Sequence, residues 1–306
     1  MDLDLGQVRA FVGVADHLHF GRAAEDLEIS QQAVSKRIAA LERSLGAALF
    51  TRGTVRLTEA GRRFLEPARE ALRAADAARD AVHAGARPLR LDVWGHLYGP
   101  ARTVGPVVDE RPGLAVELGM SRDLPAATAA LLRGDIDAAF GRVHPPLPDG
   151  LAHRLVRLEP VDLLVGAGHP LASAAAVRPS ELAGRELWFP AAVDRLDFFK
   201  RFCDAFGVRA ASGGANLGVD HLLADLRADP GRITLFPADA PLPDIPGIRA
   251  VPIVEPTPLY AWSLVWPRQS PHPLVPALVR AFAERGRRRR WLDYDPDRDW
   301  LPADPA

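Results

Sequence analysis

Residues 21–45 read GRAAEDLEISQQAVSKRIAALERSL, and their pattern predicts two helices joined by a short turn. In the second half, apolar residues recur at steps of four, three and four, so they share one helical face. These residues are Val34, Ile38, Leu41 and Leu45. Ser30 can cap the first turn, because its hydroxyl can accept a hydrogen bond from a free backbone N–H. We therefore predict a helix that begins after Ser30 and buries only one of its sides.

The other side of this helix carries amides, a hydroxyl and cations. A rotation of about 100° per residue places Gln32, Lys36 and Arg43 opposite the apolar face, with Ser35 beside them and Gln31 in the first turn. Two helices joined by such a turn form a helix-turn-helix, whose second helix can enter the DNA major groove with its N-terminal side chains leading. A Gln side chain can form hydrogen bonds with the edge of adenine, a Ser hydroxyl with the edges of several bases, and a Lys ammonium group with guanine or phosphate.

The local charge agrees with a nucleic-acid partner. The whole chain of 306 residues has a net charge of -1, so only a local patch could attract DNA. Residues 30–64 contain seven basic and two acidic residues, a local net charge of +5. The alternative at this point is a solvated helix face in an all-α domain.

The run FGRAAEDLEISQQAVSKRIAALERSLGAALFTRGTVRLTEAGRRFL, residues 20–65, resembles the winged helix-turn-helix of LysR-type transcriptional regulators. The resemblance implies that the third helix reads an operator and that the segment before LTEAG forms a wing against the DNA backbone or minor groove. Gln32 stands where the family usually has proline. The DNA-contacting residues expected on this basis are Ser30, Gln31, Gln32, Ser35, Lys36, Arg43, Arg52 and Arg56.

A long fourth helix is predicted from residue 59 to about 84, with Thr58 as its N-cap and Pro67 as a possible kink. Its apolar seam, interrupted at Arg79, consists of Leu65, Ala68, Leu72, Ala75 and Val82. A solitary helix of this length is marginal in water, so we expect it to pair with a second copy of itself. The alternative is packing against its own domain. The resemblance implies the dimerising linker helix of the family, and AGARP, residues 84–88, is predicted to be a hinge.

Strand and helix patterns alternate after the hinge, which predicts a parallel sheet with covering helices. The segments GAGHPLA and GRITLFPA resemble the effector-binding domain of the same regulators, over about residues 89–286. The resemblance implies two α/β lobes joined by crossing strands, similar to periplasmic solute-binding proteins, with a small-molecule cleft between them. The predicted fold class is thus α/β, with an N-terminal winged helix-turn-helix, a long linker helix and a two-lobed C-terminal domain.

The predicted domains follow from these segments. They are residues 1–65 for the DNA-binding domain, 66–88 for the linker and hinge, 89–286 for the effector-binding domain and 287–306 for a tail. Lobe I is expected at about 89–165 and 267–286, and lobe II at about 166–266. The tail pairs a basic cluster with an acidic, Pro-rich end, and no role is predicted for it.

Ligands of open α/β sheets bind beyond the carboxyl ends of strands, where helix N-termini favour carboxylates. The strand-to-helix turns therefore supply the candidate effector contacts: His96, Tyr98, Ser121, Arg122, Arg142, His144 and Asn216. The alternative for each of them is an ordinary capped turn or an exposed loop residue. Trp94, His96 and Tyr98 motivate the hypothesis of an aromatic or phenolic effector, and a carboxylate or aromatic acid is the expected class.

Other chemistry is not indicated. The sequence has no nucleophile-elbow, phosphate-loop or zinc-protease motif, and its nine histidines lack metal-ligand spacing, so no cofactor and no metal are predicted. The single cysteine, Cys203, is expected to be a buried apolar residue. The alternative is a peroxide-sensing thiol whose pKa is lowered by Lys200 and Arg201. The N-terminus does not resemble a secretory signal and no stretch reaches 18 apolar residues, so a cytoplasmic protein that does not enter the membrane is expected.

These observations predict a sequence-specific DNA-binding transcriptional regulator, not an enzyme. Its expected partners are a double-stranded DNA operator, a small-molecule effector between the two lobes, and further copies of itself in a dimer or tetramer. Two alternatives remain open at this point, a solute-binding protein and an enzyme acting on a small acid in the same two-lobed cleft.

Overall fold

The computed structural model describes residues 3–51, 55–81, 87–95, 99–144, 146–191, 196–213, 217–240, 246–269 and 271–302. The chain divides into two compact units, Met1–Gly85 and Ala86–Ala306. Within the described ranges, no helix is long and apolar enough to cross a membrane.

The described part of the first unit contains four helices. They are α1 Leu5–His17, α2 Phe20–Asp26, α3 Gln31–Leu45 and α4 Glu59–Ala81. The hydroxyl of Ser30 accepts a hydrogen bond from the Ala33 N–H at 3.2 Å, and the hydroxyl of Thr58 accepts one from the Gly61 N–H at 3.0 Å. Both predicted N-caps are therefore confirmed.

The core of the first unit joins α3 to the other helices. Val34, Ile38 and Leu41 are 0%, 4% and 0% exposed, and Leu45 is partly buried against the same core. They meet apolar side chains of α1, α2 and the segment after α3, including Val8, Phe11, Val14, Ala23, Ala24, Leu49 and Phe50. The predicted inner face of α3 is therefore confirmed.

A short wing follows α3. Phe50 pairs with Leu57 in an antiparallel bridge, and the Glu42 carboxylate of α3 accepts hydrogen bonds from the N–H groups of Leu49 at 2.7 Å and Phe50 at 3.1 Å. Helix α4 lies close to this segment, since a Cβ atom on Gly61 would stand 2.2 Å from the Leu49 carbonyl oxygen. A side chain at Gly61 is therefore incompatible with this packing.

The first part of α4 packs on its own unit. Ala68 is buried in the helical core, Leu65 and Leu72 lie partly buried against it, and Arg69 donates to Asp16 of α1 at 2.5 Å. The alternative interpretation, packing within the domain, is thus correct for this part of the seam. The side chains of Arg79 and Val82, and most of the hinge, lie outside the described residues.

The second unit alternates strands and helices. The strands are β1 Leu89–Val93, β2 Val116–Met120, β3 Ala138–Gly141, β4 Leu151–Gly166, β5 Glu186–Phe189, β6 Arg209–Ser212, β7 Ile233–Pro237, β8 Ile248–Val251, β9 Thr257–Pro267 and β10 Asp299–Trp300. The helices are α5 Ala101–Asp109, α6 Leu124–Arg133, α7 Asp197–Phe206, α8 Val219–Ala228 and α9 Val275–Arg289.

These strands form one sheet in the order β2-β1-β3-β9-β4-β7-β5-β6, with β10 beside β9 and β8 beside β4. Strands β1, β2 and β3 are parallel, as are β5, β6 and β7. However, β9 is antiparallel to both β3 and β4, and β4 is antiparallel to β7 and β8. The prediction of a parallel sheet was therefore wrong for the connecting strands β4 and β9. Strand β4 carries the chain from lobe I to lobe II and β9 carries it back, so the two run in opposite directions.

Strands β4 and β9 connect the two lobes. They pair from Leu151 opposite Pro267 to Pro160 opposite Leu259, with a register shift between Leu155 and Arg157. Along the ribbon, the other edge of β9 pairs with β3 of lobe I, and past the end of the ribbon β4 pairs with β7 of lobe II. The hydrogen-bonded sheet is therefore continuous from one lobe to the other.

Cys203 belongs to the core of the second unit. It is 4% exposed on α7, among the phenylalanines of that helix. Burial, reinforced by the charge of Asp204, raises the pKa of this thiol to about 11. A reactive thiol needs the opposite shift, so the peroxide-sensing alternative does not fit this site, and the buried apolar role is supported.

A buried carboxylate, Glu159, lies on the connecting ribbon. It is 0% exposed, accepts a hydrogen bond from the Trp262 indole N–H at 2.7 Å, and forms ion pairs with Arg102 and with Arg157, the latter at 2.9 Å. Both guanidinium groups also contact Asp239, which follows β7. Burial, and a hydrogen bond shared with Asp239, raise the pKa of Glu159 to about 7 in spite of the two arginines.

This shift predicts a pH-dependent stability. Between its unfolded pKa of 4.5 and its folded pKa of about 7, the Glu159 carboxyl binds more protons in the folded state. The contribution of Glu159 to the stability of the second unit should therefore fall by about 2–3 kcal/mol as the pH rises through this window. All six tryptophans lie in this unit, so urea unfolding followed by tryptophan fluorescence at several pH values measures it.

The matched variant is Glu159→Gln, which keeps an oxygen for the Trp262 N–H but does not titrate. The fall should be absent from this variant, whose stability should instead rise with pH, because burial lowers the pKa values of His169 and His272 in the folded state. Equal pH slopes in the variant and the wild type would assign the dependence to another group.

Candidate DNA-binding surface and effector cleft

The exposed face of α3 is the candidate DNA-binding surface. Gln31, Gln32, Ser35, Lys36 and Arg43 are all exposed, and the buried residues of α3 lie on its opposite side. Ser30 is also exposed, although its hydroxyl is engaged in the cap. The N-terminal half of α3 thus presents two amides, a hydroxyl and an ammonium group to solvent, which is the arrangement that base-edge recognition requires.

Basic residues of the wing lie next in the chain. The Arg56 side chain is exposed, while its backbone carbonyl accepts from the Thr51 N–H at 2.9 Å and holds the wing together. Arg52 lies outside the described residues.

The second unit contains a cavity of about 350 Å³ beyond the ends of β1 and β3. Lobe I contributes Trp94, Arg122, Arg142 and His144 to the wall of the cavity. Helix α7 of lobe II contributes Asp197, Phe198, Phe199 and Lys200. Tyr260 of β9 also lines the cavity. The size is typical of a small-molecule site. The walls combine aromatic rings with cations.

An ion pair crosses this cleft. Arg142, only 6% exposed, donates through Nε at 3.1 Å and Nη2 at 2.7 Å to Asp197 Oδ2, and Arg201 donates to Asp197 Oδ1 at 2.6 Å. Burial alone would raise the pKa of Asp197, but the two guanidinium groups lower it below its ordinary value. The carboxylate therefore stays charged, and it fixes Arg142 at the edge of the cavity.

The packing behind Arg142 depends on a residue without a side chain. A Cβ atom on Gly141 would stand 2.1 Å from the indole ring of Trp94. Glycine at this position therefore lets Trp94 lie flat over the end of β3, where its ring forms part of the cavity wall.

The structure brings three of the seven predicted effector contacts together, since Arg122, Arg142 and His144 all line the cavity. Ser121 is not among the lining residues, and its hydroxyl donates to Asp92 at 2.6 Å. The other three, His96, Tyr98 and Asn216, lie outside the described residues.

The sequence prediction missed the part of the wall that α7 supplies. Asp197, Phe198 and Lys200 stand at the start of this helix, in the stretch LDFFKRF, and the alternation of aromatic and charged residues there was the available signal. No local pattern indicates that this turn faces Arg142, which is 55 residues earlier in the chain.

A metal centre is not supported by the geometry. In the portion of the chain that the structure describes, no three His, Cys, Asp or Glu side chains are grouped so that they could hold a metal ion.

Comparison with known proteins adds to this geometry. Residues 5–62 match the model of the bacterial regulatory helix-turn-helix protein, lysR family, and residues 104–287 match that of the LysR substrate binding domain. The chain belongs to the LysR family of transcriptional regulators. Two relatives are similar to this regulator over nearly their full length.

The first relative, the HTH-type transcriptional regulator IlvR of Caulobacter vibrioides, is 33% identical over 93% of this chain and 99% of its own. The second, the HTH-type transcriptional regulator YnfL of Escherichia coli, is 31% identical over 89% of this chain and 95% of its own. Their names describe transcriptional regulators, and neither describes an enzyme.

Solved structures show the same fold. The crystal structure of CbnR, a LysR family transcriptional regulator, has a TM-score of 0.54 to this regulator at 23% identity, over 95% of this chain and 100% of that one. A second structure, full-length CbnR complexed with its target DNA, has a TM-score of 0.52 at 24% identity, over 94% and 99% of the two chains.

The regulator therefore combines a DNA-binding helix-turn-helix with a two-lobed effector-binding domain, as predicted. It is a transcriptional regulator and not an enzyme, and the solute-binding and small-acid-enzyme alternatives are not supported.

Proposed function

We propose that the regulator reads its operator with the exposed face of α3, through Gln31, Gln32, Ser35, Lys36 and Arg43, while Ser30 shapes the first turn. Arg52 and Arg56 of the wing contact the DNA backbone. The observation that carries this proposal is the division of α3 into a buried apolar face and an exposed polar one. The cations around α3 supply affinity for any DNA, and the amides and the hydroxyl supply preference for a sequence.

Replacing Gln32 or Ser35 with alanine tests base reading. We expect each variant to lose about 5- to 100-fold in affinity for an operator that the wild-type protein has selected from a random DNA pool. Affinity for random DNA should change by less than about threefold, because the basic side chains remain. A fluorescence-anisotropy titration at fixed salt measures both affinities.

Gln269→Ala is the matched control, since Gln269 is exposed in the other unit. It should bind both DNAs like the wild type. If the Gln32 and Ser35 variants lost equal affinity for operator and random DNA, α3 would not read bases as proposed.

The effector proposed for the cleft is a small aromatic carboxylate. Arg142, Arg122 and Lys200 provide cations at the cavity, and Trp94 and Phe198 provide ring surfaces. Aromatic walls favour flat apolar groups, and guanidinium groups favour carboxylates. Titration with benzoate, phenylacetate and the aliphatic dicarboxylate succinate tests this class of effector.

The proposed assembly is a homodimer or a tetramer that binds an operator with two or more helix-turn-helix motifs, in the cytoplasm where its DNA is found. The part of α4 beyond Leu72 is the proposed self-association segment, because the part before it packs on the helical core. Effector binding then changes the populations of two lobe or subunit arrangements, and this change alters the spacing of the reading helices. The domain boundaries given above remain part of this proposal.

A further inference from the structure

The segment 291–300, part of the predicted C-terminal tail 287–306, lies beyond the residues that match the substrate-binding domain of the family. It begins on lobe I, where the Trp291 ring lies 5.0 Å from the Arg157 guanidinium carbon. The carbonyl oxygen of Trp291 accepts a hydrogen bond from the Leu158 N–H of β4 at 2.7 Å. One end of the tail is thereby held by the ribbon that joins the lobes.

The other end of the tail joins the sheet and α7. Strand β10 pairs in parallel with the start of β9, and the Arg298 carbonyl accepts from the Thr257 N–H at 2.8 Å. The Trp300 ring then packs edge-on against Phe198, Phe202 and Phe206, at centroid distances of 5.8, 5.7 and 5.3 Å. These three phenylalanines all belong to α7, so Trp300 contacts the helix along almost its whole length.

Helix α7 is one element that lobe II presents to the cleft. Phe198 lines the cavity and also contacts Trp300, while its neighbour Asp197 holds Arg142. A shift of α7 would therefore move a ring of the wall and the carboxylate of the ion pair together. One of the three side chains that Trp300 packs against, Phe198, is thus also part of the cleft wall.

We propose that Trp300 is a positioning residue for the effector cleft: from outside the cavity, the tail holds α7 so that Asp197 and Phe198 face Arg142. This role rests on the proposed effector function of the cleft. It assigns a task to residues 291–300, for which the sequence alone predicted no role.

Two measurements on the full-length protein test this role without any effector. The first is the rate at which the aromatic disulfide DTNB modifies Cys203, the single cysteine, which is buried on α7. Trp300→Ala should raise this rate by about tenfold, since the loss of three ring contacts lets α7 open more often.

The second measurement is the ¹³C NMR titration of the Asp197 carboxyl carbon, whose signal is identified because it is missing in Asp197→Asn. In Trp300→Ala, the pKa of Asp197 should rise towards its ordinary value as Arg142 and Asp197 separate.

Two further variants serve as controls. Trp300→Phe keeps an aromatic ring on α7 and should restore both readouts to near the wild-type values. Tyr294→Ala removes an exposed ring from the same tail, so both readouts should stay unchanged. A loss of thermal stability in Trp300→Ala with unchanged Cys203 rate and unchanged Asp197 titration would show a purely stabilising tail and overturn the proposal.

Binding of benzoate separates this proposal from the effector proposal. If the wild type binds benzoate, Trp300→Ala should bind it at least about tenfold more weakly, and equal affinity would overturn the positioning role. If the wild type binds none of the three test acids, the proposed effector class fails, while the Cys203 rate and the Asp197 titration still decide whether Trp300 positions α7.

Discussion

Replacing Gly61 with alanine is expected to unfold the DNA-binding unit and abolish binding to any DNA. The new Cβ atom would stand 2.2 Å from the Leu49 carbonyl oxygen and 3.1 Å from its carbon, which are backbone atoms and cannot rotate away. Either α4 or the wing segment must move, and Leu49 is part of the core. We expect a loss of about 3 kcal/mol or more, at the upper end of the cost of overpacking. Circular dichroism at 222 nm during thermal unfolding measures it.

Gly13→Ala is the matched control, because Gly13 also lies within a helix of the first unit. A Cβ atom there would have its nearest neighbours at 3.4 and 3.7 Å, which is ordinary van der Waals contact. This variant should fold and bind DNA like the wild type. Tryptophan fluorescence provides an internal check, since every tryptophan lies in the second unit and its transition should be the same in all three proteins. A Gly61→Ala protein with wild-type helix melting would show that α4 does not pack on the wing as described.

Replacing Arg142 with alanine is expected to weaken binding of an aromatic carboxylate such as benzoate by about 100-fold. The change removes a buried cation from the cavity edge, and it also uncovers the Asp197 carboxylate, which would repel the ligand anion. Arg201 still neutralises one oxygen of Asp197, so the helix should remain folded. Isothermal titration calorimetry with benzoate, phenylacetate and succinate measures the effect.

Arg122→Ala is the control for general electrostatics, because Arg122 lines the same cavity but is exposed. The Arg122→Ala substitution should weaken benzoate binding by less than about fivefold, since solvent screens the charge of Arg122. Equal losses in both variants would mean that the ligand senses only the overall charge of the cleft. Tightest binding of succinate by the wild type would overturn the aromatic class.

The sequence was sufficient for the features that depend on neighbouring residues. Helical periodicity and the Ser30 cap are local, so the buried face of α3 and its exposed polar face could both be predicted. The same holds for Thr58 and the start of α4. In each case the signal spans fewer than about 15 residues, the range over which periodicity is informative.

Features that depend on how distant segments meet could not be predicted in this way. The direction of β9 relative to β3 is set by the path of the chain through lobe II, and no alternation of apolar residues reports it. Strand β6 reads RAAS and lacks the β-branched residues that indicate a strand. Asp197 became part of the candidate site only because lobe II places it against Arg142, and Trp300 because the tail returns to α7.

The continuous sheet of the second unit has a mechanical consequence. Because β4 and β9 stay hydrogen-bonded from one lobe to the other, the lobes cannot swing about a loose loop. Any change in their orientation must twist this two-stranded ribbon, and the irregularity between Leu155 and Arg157 is where it should twist most easily. Twisting the ribbon should therefore cost elastic energy, and effector binding must supply that energy if it turns one lobe relative to the other.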